Sequence, residues 1–261
     1  MTTGKTILQA NTISIGYTAK KENRTVASGI NLIFKTGTLT AVIGANGIGK
    51  STLLRTLTGI QKPIEGSVML NDKNISSYTP ANLAQHLSIV LTESLPPSNL
   101  TVYELVALGR QPYTNWVGNL TTEDRSKINE ALQLTQTDHL SGKKHFEISD
   151  GQLQKVLIAR ALAQDTPLIV LDEPTTHLDL QHNVSLLRLL KKLATEQGKC
   201  ILYSTHDLDL ALQLSNELIV MTQDTVTQNT PQQCIESKIF DRLFSDDGII
   251  FDPVKGSFTI R

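Results

Sequence analysis

The sequence predicts an α/β domain built around a mostly parallel sheet. Short apolar stretches alternate with longer segments of helical periodicity, which is the pattern of strands joined by crossover helices. A glycine-rich loop lies between one of these strands and the helix that follows it. The middle of the chain carries helical patterns alone, which predicts a helical insertion into the α/β core.

The core is predicted from three buried strands, at residues 39–44, 167–172 and 200–207. A helix from residue 50 follows the first strand and stops at Gly59, and apolar residues at helical spacing predict another helix from residue 180 to Gly198. An alternating amino-terminal strand and a hairpin at residues 65–75 predict a small antiparallel β portion beside the parallel core.

The predicted insert covers residues 94–163, and the core covers residues 1–93 and 164–261 of a single domain. Within the insert, Thr101 and Glu104 have the spacing of a capping box, so a helix should begin there. A second amphipathic helix is predicted in residues 121–135. The stretch SLPPSN, residues 94–99, is the predicted hinge into the insert.

The composition is that of a globular protein with balanced charge. Hydrophobic residues make up 39%, charged residues 19%, and the formal net charge is −1. Nucleic-acid-binding proteins usually carry a basic excess, so we expect no nucleic-acid partner. The cysteines, Cys200 and Cys234, are far apart and in no metal-binding spacing, which favours a reducing compartment over a disulfide framework.

The chain also lacks the sequence features of membrane insertion. It contains no run of about 18 apolar residues, and its amino terminus lacks the apolar core of a signal peptide. We therefore expect a cytoplasmic protein without direct membrane insertion. A role at a membrane would require a partner that holds the protein there.

The segment GANGIGKST fits the phosphate-binding pattern G-x-x-x-x-G-K-[ST] and has the strand before it and the helix after it that this pattern requires. Glycines let the backbone N–H groups point at phosphate oxygens, and the helix amino terminus adds positive potential. Lys50 would reach the β- and γ-phosphates, and Ser51 would bind Mg²⁺. The predicted nucleotide-binding residues of this phosphate loop are Gly44, Ala45, Asn46, Gly47, Ile48, Gly49, Lys50, Ser51 and Thr52.

Two acidic residues and a histidine follow the later strands of the core. Asp172 ends a predicted strand, at the sheet edge where it could hold Mg²⁺ beside the phosphate loop, and Glu173 could orient or deprotonate the attacking water. His206 follows the next strand and could hydrogen-bond the γ-phosphate or the water. We therefore predict Lys50, Glu173 and His206 as catalytic residues.

The stretch ISDGQ, residues 148–152, precedes another predicted helix. Ser149 and Gln152 form a capping-box pair, and Gly151 leaves room for an approaching anion. A capped helix start can receive a phosphate, but an ordinary helix cap has the same local sequence. The residues alone leave these two interpretations open.

The order of the motifs resembles the ATP-binding cassette (ABC) ATPases over essentially the whole chain: the phosphate loop, the insert, ISDGQ, LIVLDEP, HLD and a histidine after a strand. ISDGQ looks like a variant of the family's L-S-G-G-Q signature. The resemblance implies the ABC ATPase fold, binding of ATP and Mg²⁺, and a homodimer. In such a dimer, Ser149, Gly151 and Gln152 of one subunit would close over the nucleotide on the partner's phosphate loop.

Further site residues are implied by the same resemblance. Tyr17 occupies the place of an aromatic residue that stacks on adenine, and Asp179 matches a loop between the two sites. Where the family usually has a glutamine near Mg²⁺, this chain has Thr92 followed by Glu93, and either could replace it. Asp150 stands in place of the first signature glycine and is expected to face outward.

The segment TVYELVALGRQPY is similar to a stretch found in ATPases of importers for iron-siderophore complexes, haem and vitamin B12. The resemblance implies an importer ATPase at the inner face of the cell membrane. Its partners would be an integral membrane permease and a separate substrate-binding protein. The permease is expected to dock around residues 94–99 and the helix at residues 101–110.

Two other functions are compatible with parts of the pattern. A soluble ABC-type ATPase in DNA repair or translation would share the local motifs, but such proteins usually carry paired ATPase domains or a long coiled-coil insertion, and the sequence has neither. A small P-loop kinase would have no use for the combination of ISDGQ, THLD and the late histidine.

Overall fold

The computed structural model describes residues 4–18, 23–91, 98–176, 178–243, 249–252 and 257–260. The chain divides into two compact units, one formed by residues 1–77 and 190–261 and the other by residues 78–189. The second unit includes strands on both sides of the predicted insert: the strand at residues 87–90 packs against the insert helix at residues 150–163 and pairs with the strand at residues 168–171. The boundaries at residues 93/94 and 163/164 stay a prediction.

The elements that the sequence predicts occur in the predicted order, and the structure adds further strands and helices between and after them. The strands are β1 (Thr6–Thr18), β2 (Asn23–Lys35), β3 (Leu39–Gly44), β4 (Glu65–Leu70), β5 (Lys73–Asn74), β6 (Leu87–Val90), β7 (Leu168–Leu171), β8 (Cys200–Ser204), β9 (Glu217–Met221), β10 (Val226–Asn229), β11 (Ile249–Asp252) and β12 (Ser257–Ile260). The helices are α1 (Lys50–Leu57), α2 (Pro80–Leu83), α3 (Val102–Ala107), α4 (Thr122–Leu134), α5 (Asp150–Ala163), α6 (Leu180–Gln197), α7 (Leu208–Leu214) and α8 (Pro231–Glu236).

The antiparallel portion of the first unit is a sheet with the strand order β2-β1-β4-β5. The pairing of β1 with β2 runs from Thr6 opposite Lys35 to Thr18 opposite Asn23, with several bulges. β4 and β5 form the predicted hairpin, which pairs with the other side of β1. The small antiparallel β portion is thereby confirmed.

The parallel strands of the first unit supply its buried core. β3 pairs parallel with both β8 and β9, and β10 adds an antiparallel strand beside β9. Every residue of β3 and β8 is buried. Strands covered on both faces read as continuous apolar runs, and this is the pattern from which the sequence predicts them.

The helix α1 begins where a glycine ends the phosphate loop. Gly49 precedes it with φ 113° and ψ 15° and has no side chain with which to cap the helix. Leu53, Leu54 and Leu57 are fully buried and anchor the helix to the core. Gly59 follows with φ 75°, a left-handed conformation that ends the helix at the predicted place.

The second unit combines two parallel strands with the helices of the insert. β6 and β7 pair in parallel from Leu87 opposite Leu168 to Val90 opposite Leu171. α3, α4 and α5 pack against one another, and α3 begins at the predicted Thr101–Glu104 capping box. The parallel strands and the helices together confirm the predicted α/β fold class.

The GRQPY stretch, residues 109–113, holds these insert helices together. A Cβ atom at Gly109 would overlap the backbone carbonyl of Arg160 in α5, so only glycine permits this approach. Arg110 is buried, donates 2.8 Å from Nε to Asp124 Oδ1 in α4, and donates 2.9 Å from Nη1 to the Ala163 carbonyl at the end of α5. Removing one partner of such a buried ion pair typically costs about 3–5 kcal/mol.

None of the helices within the described residues combines the length and the apolar composition that crossing a bilayer requires.

Candidate nucleotide-binding site

The phosphate loop between β3 and α1 has a backbone that requires glycine. Gly47 and Gly49 have φ angles of 74° and 113°. A Cβ atom at Gly49 would overlap Val26 Cγ1, and one at Gly44 would lie 2.8 Å from the Met221 carbonyl oxygen. These close approaches leave the loop narrow and its backbone accessible, as a phosphate cradle requires.

Lys50 lies inside this loop rather than in solvent. Its residue is 5% exposed, and Nζ donates to the carbonyl oxygens of Gly44 at 2.9 Å and Ala45 at 3.3 Å. Phosphate oxygens are stronger acceptors than carbonyls because their bond to an ammonium is assisted by charge on both partners. The lysine is therefore placed to exchange loop carbonyls for phosphate oxygens with little movement of its stem.

His206 is brought to the same place by the end of β8. Thr205 donates its N–H to the Val42 carbonyl at 3.1 Å, and Asp207 caps α7 by accepting from Leu210 N at 3.0 Å. His206 is exposed between these two fixed neighbours, and its Nδ1 lies 3.5 Å from Lys50 Nζ. The structure thus brings together two of the three predicted catalytic residues.

Tyr17 presents an accessible ring near the start of α1. The residue is 57% exposed, and its hydroxyl lies 3.0 Å from Thr52 Oγ1. Thr52 is buried, whereas Ser51 is partly exposed and Asn46 is exposed at the rim of the loop. A ring that is held at its hydroxyl and open on its face suits the stacking predicted for Tyr17.

The two predicted carboxylates follow β7 in the second unit. Asp172 is 2% exposed and donates its N–H to the Val90 carbonyl at 2.8 Å. Glu173 is partly exposed and has φ 49°. A left-handed conformation costs a residue with a side chain about 1–2 kcal/mol, and such strain concentrates at functional sites. Nothing in the local sequence predicts this strain.

The ISDGQ stretch forms the predicted capping box at the start of α5. Ser149 Oγ accepts from Gln152 N at 3.3 Å, and Gln152 Oε1 accepts from Ser149 N at 3.1 Å. Asp150 is exposed, as expected. These residues line an open cleft of about 740 Å³ together with Gly151, Lys155, Asp179 and His182.

Asp179 is held by a residue that the sequence interpretation did not select. Its Oδ1 accepts from His182 N at 2.8 Å, and its Oδ2 lies 2.9 Å from His182 Nδ1. These two bonds, backbone first, lower the pKa of Asp179, and the charge of Lys155 acts in the same direction. The spacing D-x-x-H at the start of a helix is the signal that could have identified His182.

Thr92 and Glu93, between which the sequence left the metal-binding role open, lie outside the described residues, as do residues 94–97 of the predicted hinge.

The phosphate loop of the first unit and, taken separately, the carboxylates after β7 in the second unit each have the chemistry that a magnesium nucleotide requires. The glycine cradle admits no Cβ at Gly49, Lys50 is a buried cation, and the Ser51 hydroxyl and Asp172 carboxylate are the hard oxygen ligands that Mg²⁺ takes. Their individual roles remain predictions.

Comparison with known proteins gives a family. The ABC transporter family model matches residues 27–176. An ABC transporter ATP-binding protein of Methanocaldococcus jannaschii is 38% identical over 98% of this chain and 87% of its own length. The iron(3+)-hydroxamate import ATP-binding protein of Bacillus subtilis is 38% identical over 94% of this chain and 91% of its own length. The ferric enterobactin transport ATP-binding protein of Escherichia coli is 35% identical over 98% of this chain and 94% of its own length.

Solved structures agree with this result. An inward-facing ABC transporter described as of the metal-chelate type matches with a TM-score of 0.79 and 28% identity, covering 98% of this chain and 96% of that chain. A dimeric ATP-binding cassette in a post-hydrolysis state, bound to ADP and phosphate, matches with a TM-score of 0.76 and 28% identity, covering 86% of this chain and 99% of that chain. The chain therefore belongs to the ABC transporter family, as one of its ATP-binding and ATP-hydrolysing subunits.

Proposed function

We propose that this ATPase works as a homodimer that powers the import of an iron chelate through a separate membrane permease. The observation that carries the proposal is the likeness, over nearly the full length of both chains, to relatives named for iron(3+)-hydroxamate import and ferric enterobactin transport. The two relatives are named for different cargoes, yet their sequence identities to this chain, 38% and 35%, are too similar to choose between them. The proposal therefore names an iron-siderophore complex as a class, with haem and cobalamin as the other cargoes of the predicted subfamily.

The phosphate loop binds the triphosphate and Tyr17 stacks on the adenine. Lys50 transfers its hydrogen bonds from the carbonyls of Gly44 and Ala45 to phosphate oxygens. His206, whose Nδ1 lies 3.5 Å from Lys50 Nζ, contacts the same group and orients the γ-phosphate or the attacking water. Binding thus redirects donors that the structure already holds close together.

The residues after β7 carry the hydrolytic step. Ser51 and Asp172, with Thr92 as a further candidate, are the residues that would hold Mg²⁺, and the ion would neutralise charge on the phosphate oxygens. Glu173 accepts the proton of the attacking water. Its left-handed backbone, at φ 49°, fixes where the carboxylate leaves the chain.

The start of α5 completes the site on the partner's nucleotide. Ser149 Oγ already accepts from Gln152 N, so its own O–H is the group that remains to donate to a phosphate. Gly151 admits the phosphate without a side chain in the way, and Asp179 lies between the two sites. The dimeric state of the ADP-bound cassette supports this arrangement.

The permease holds the protein at the inner face of the cell membrane, where a separate substrate-binding protein delivers the cargo on the other side. We place the docking surface around residues 98–108. Leu108 is 44% exposed there, whereas Arg110 is buried in the insert and serves its packing.

The proposal is tested by Glu173→Gln in the ATPase reconstituted with its permease in proteoliposomes. ATP binding should persist while turnover falls by on the order of 10² to 10⁴, the scale of losing a general base. Glu123→Gln, on the exposed side of α4, is the matched control and should leave turnover unchanged. Normal hydrolysis by Glu173→Gln would contradict the mechanism, and absence of ATP-dependent uptake of any iron chelate, haem or cobalamin would contradict the cargo class.

A further inference from the structure

Asp179, just before α6, is paired with a histidine in the first turn of α6 that the proposed mechanism does not use. Asp179 precedes the helix and His182 is its third residue. One oxygen of the Asp179 carboxylate accepts from the His182 backbone at 2.8 Å, and the other lies 2.9 Å from the imidazole Nδ1. Both oxygens of this carboxylate are therefore held by a single residue.

This arrangement fixes a carboxylate that would otherwise rotate. The side chains of Asp179 and His182 are 65% and 49% exposed, so packing alone does not orient them. The backbone bond is an ordinary helix cap, which any residue at position 182 supplies. The imidazole bond is particular to histidine, and it determines the plane in which the carboxylate lies.

The pair also faces the signature residues within the same unit. Asp179 and His182 line the cleft that contains Ser149, Gly151 and Gln152 at the start of α5. Lys155 of α5 attracts the Asp179 carboxylate across this cleft. The orientation of Asp179 is therefore set next to the groups that are proposed to receive the partner's nucleotide.

We propose that His182 is a positioning residue for hydrolysis: its Nδ1–H fixes the Asp179 carboxylate in the orientation that the assembled dimer requires. The inference rests on the proposed function, in which Asp179 lies between the two sites. Because a carboxylate can only accept a hydrogen bond, the geometry assigns the proton to Nδ1. His182 acts through Asp179 and does not itself touch the nucleotide.

The histidine can be replaced by residues that keep or lose this single donor. The amide nitrogen of asparagine lies at the same branch position as Nδ1 and can donate to Asp179, whereas alanine cannot. His182→Ala should lower kcat for ATP by roughly two- to tenfold, the range of one hydrogen bond's net contribution. KM for ATP should change little, because the phosphate loop is untouched. His182→Asn should restore kcat.

Two controls separate positioning from a general effect on the helix. Gln181→Ala changes the exposed neighbour in the same turn and should leave kcat unchanged. In a double-mutant cycle, His182→Ala should have no further effect once Asp179→Ala is present, since the two substitutions remove the same interaction. Additive losses would overturn the proposal.

The outcomes also distinguish this inference from the proposed function. If Glu173→Gln blocks hydrolysis while His182→Ala and His182→Asn behave alike, the mechanism stands and the role of His182 is wrong. If Glu173→Gln hydrolyses ATP normally, the proposed function itself fails. Should His182→Ala not fold, His182→Asn and His182→Gln are compared instead. Glutamine carries its amide farther from the backbone, so its kcat should be lower than that of the asparagine variant. Equal kcat values for the two variants would contradict the proposal.

Discussion

Two helix amino termini are assigned to the same phosphate group, and they are built differently. α1 starts after Gly49, which has no side chain to cap the helix and has φ 113°, and Lys50 lies buried beside it. α5 starts with a complete capping box between Ser149 and Gln152 and has an exposed Asp150 in its first turn. The first end is open and cationic, and the second is closed and carries an acid.

Under the proposed function, this difference assigns nucleotide binding to one subunit and hydrolysis to the dimer. An open helix end with a buried lysine should bind phosphate by itself. The lysine now bonds to carbonyl oxygens, which are weaker acceptors than the phosphate oxygens that would replace them. A capped end beside a carboxylate gains less from an anion, so it contributes only when dimerisation brings the phosphate to it. Affinity is thus expected from α1, and the dependence of turnover on assembly from α5.

The largest effect is expected at the open end. Gly49→Ala forces a side chain into a left-handed backbone and against Val26, so nucleotide affinity should fall by about 10- to 100-fold, the size of such strain. Gly47→Ala is the matched control: φ is 74°, but open space surrounds its Cβ position. Isothermal titration calorimetry of both variants should show a smaller loss of nucleotide affinity for Gly47→Ala. Equal losses of affinity would argue against a close-fitting cradle.

A smaller effect is expected at the capped end. Ser149→Ala removes both the cap and the proposed donor to the partner's phosphate, so turnover of assembled dimers should fall by roughly tenfold while ATP binding by monomers stays unchanged. Thr121→Ala removes the matching cap of α4. Each variant should lose about 0.5–2 kcal/mol of unfolding free energy, as caps do. Slower turnover in both variants would reduce Ser149 to a structural cap.

The acid in the first turn of α5 allows a change in the opposite direction. Asp150→Asn removes an exposed negative charge from the place where the partner's phosphate should arrive. The ATP concentration needed for dimerisation should fall by about two- to fivefold at low ionic strength, and salt should diminish the gain. Light scattering measures dimerisation at increasing ATP concentrations, with Asp150→Asn introduced into the Glu173→Gln variant. No change at low salt would mean that this helix end stays far from the phosphates.

The last effect concerns the two capping boxes and is measured only as a change in the pH dependence of unfolding. The capping box of α4 includes Asp124; burial alone would raise the pKa of Asp124, but bonds from Thr121 and the ion pair with Arg110 outweigh burial and lower it. A lowered pKa stabilises the fold above the ordinary value of about 4, and this stability is lost as pH falls below it. α5 uses the neutral Gln152. Acid unfolding should therefore be less steep in Asp124→Asn, and unaltered in Gln152→Ala.

The sequence predicts the fold well wherever the pattern is local. β3, α1, α6 and the capping boxes at Thr101 and Ser149 follow from apolar periodicity and from residues three positions apart, and the structure confirms each of them. The order of these elements is enough to imply the family. Local chemistry determines such features, so a single sequence is sufficient to read them.

Features that depend on distant residues could not be read in this way. The burial of Arg110 depends on Asp124 and Ala163, which approach it only after three segments have packed. Glycine at position 109 is required by the Arg160 carbonyl, which lies in another helix. Likewise, the strained backbone of Glu173 is imposed by surroundings that no periodicity describes.

The most direct test of a shared nucleotide site mixes two defective subunits in a Glu173→Gln background. One carries Lys50→Ala, which removes binding, and the other Gly151→Asp, which still binds ATP reversibly but cannot close over it, so neither alone should trap ATP in a dimer that survives gel filtration. In a mixed dimer both lesions fall on one site and the other site is intact, so the mixture should retain about a quarter of the control's ATP under random pairing. If the mixture retains none while the Glu173→Gln control does, the two helix ends do not meet on one nucleotide.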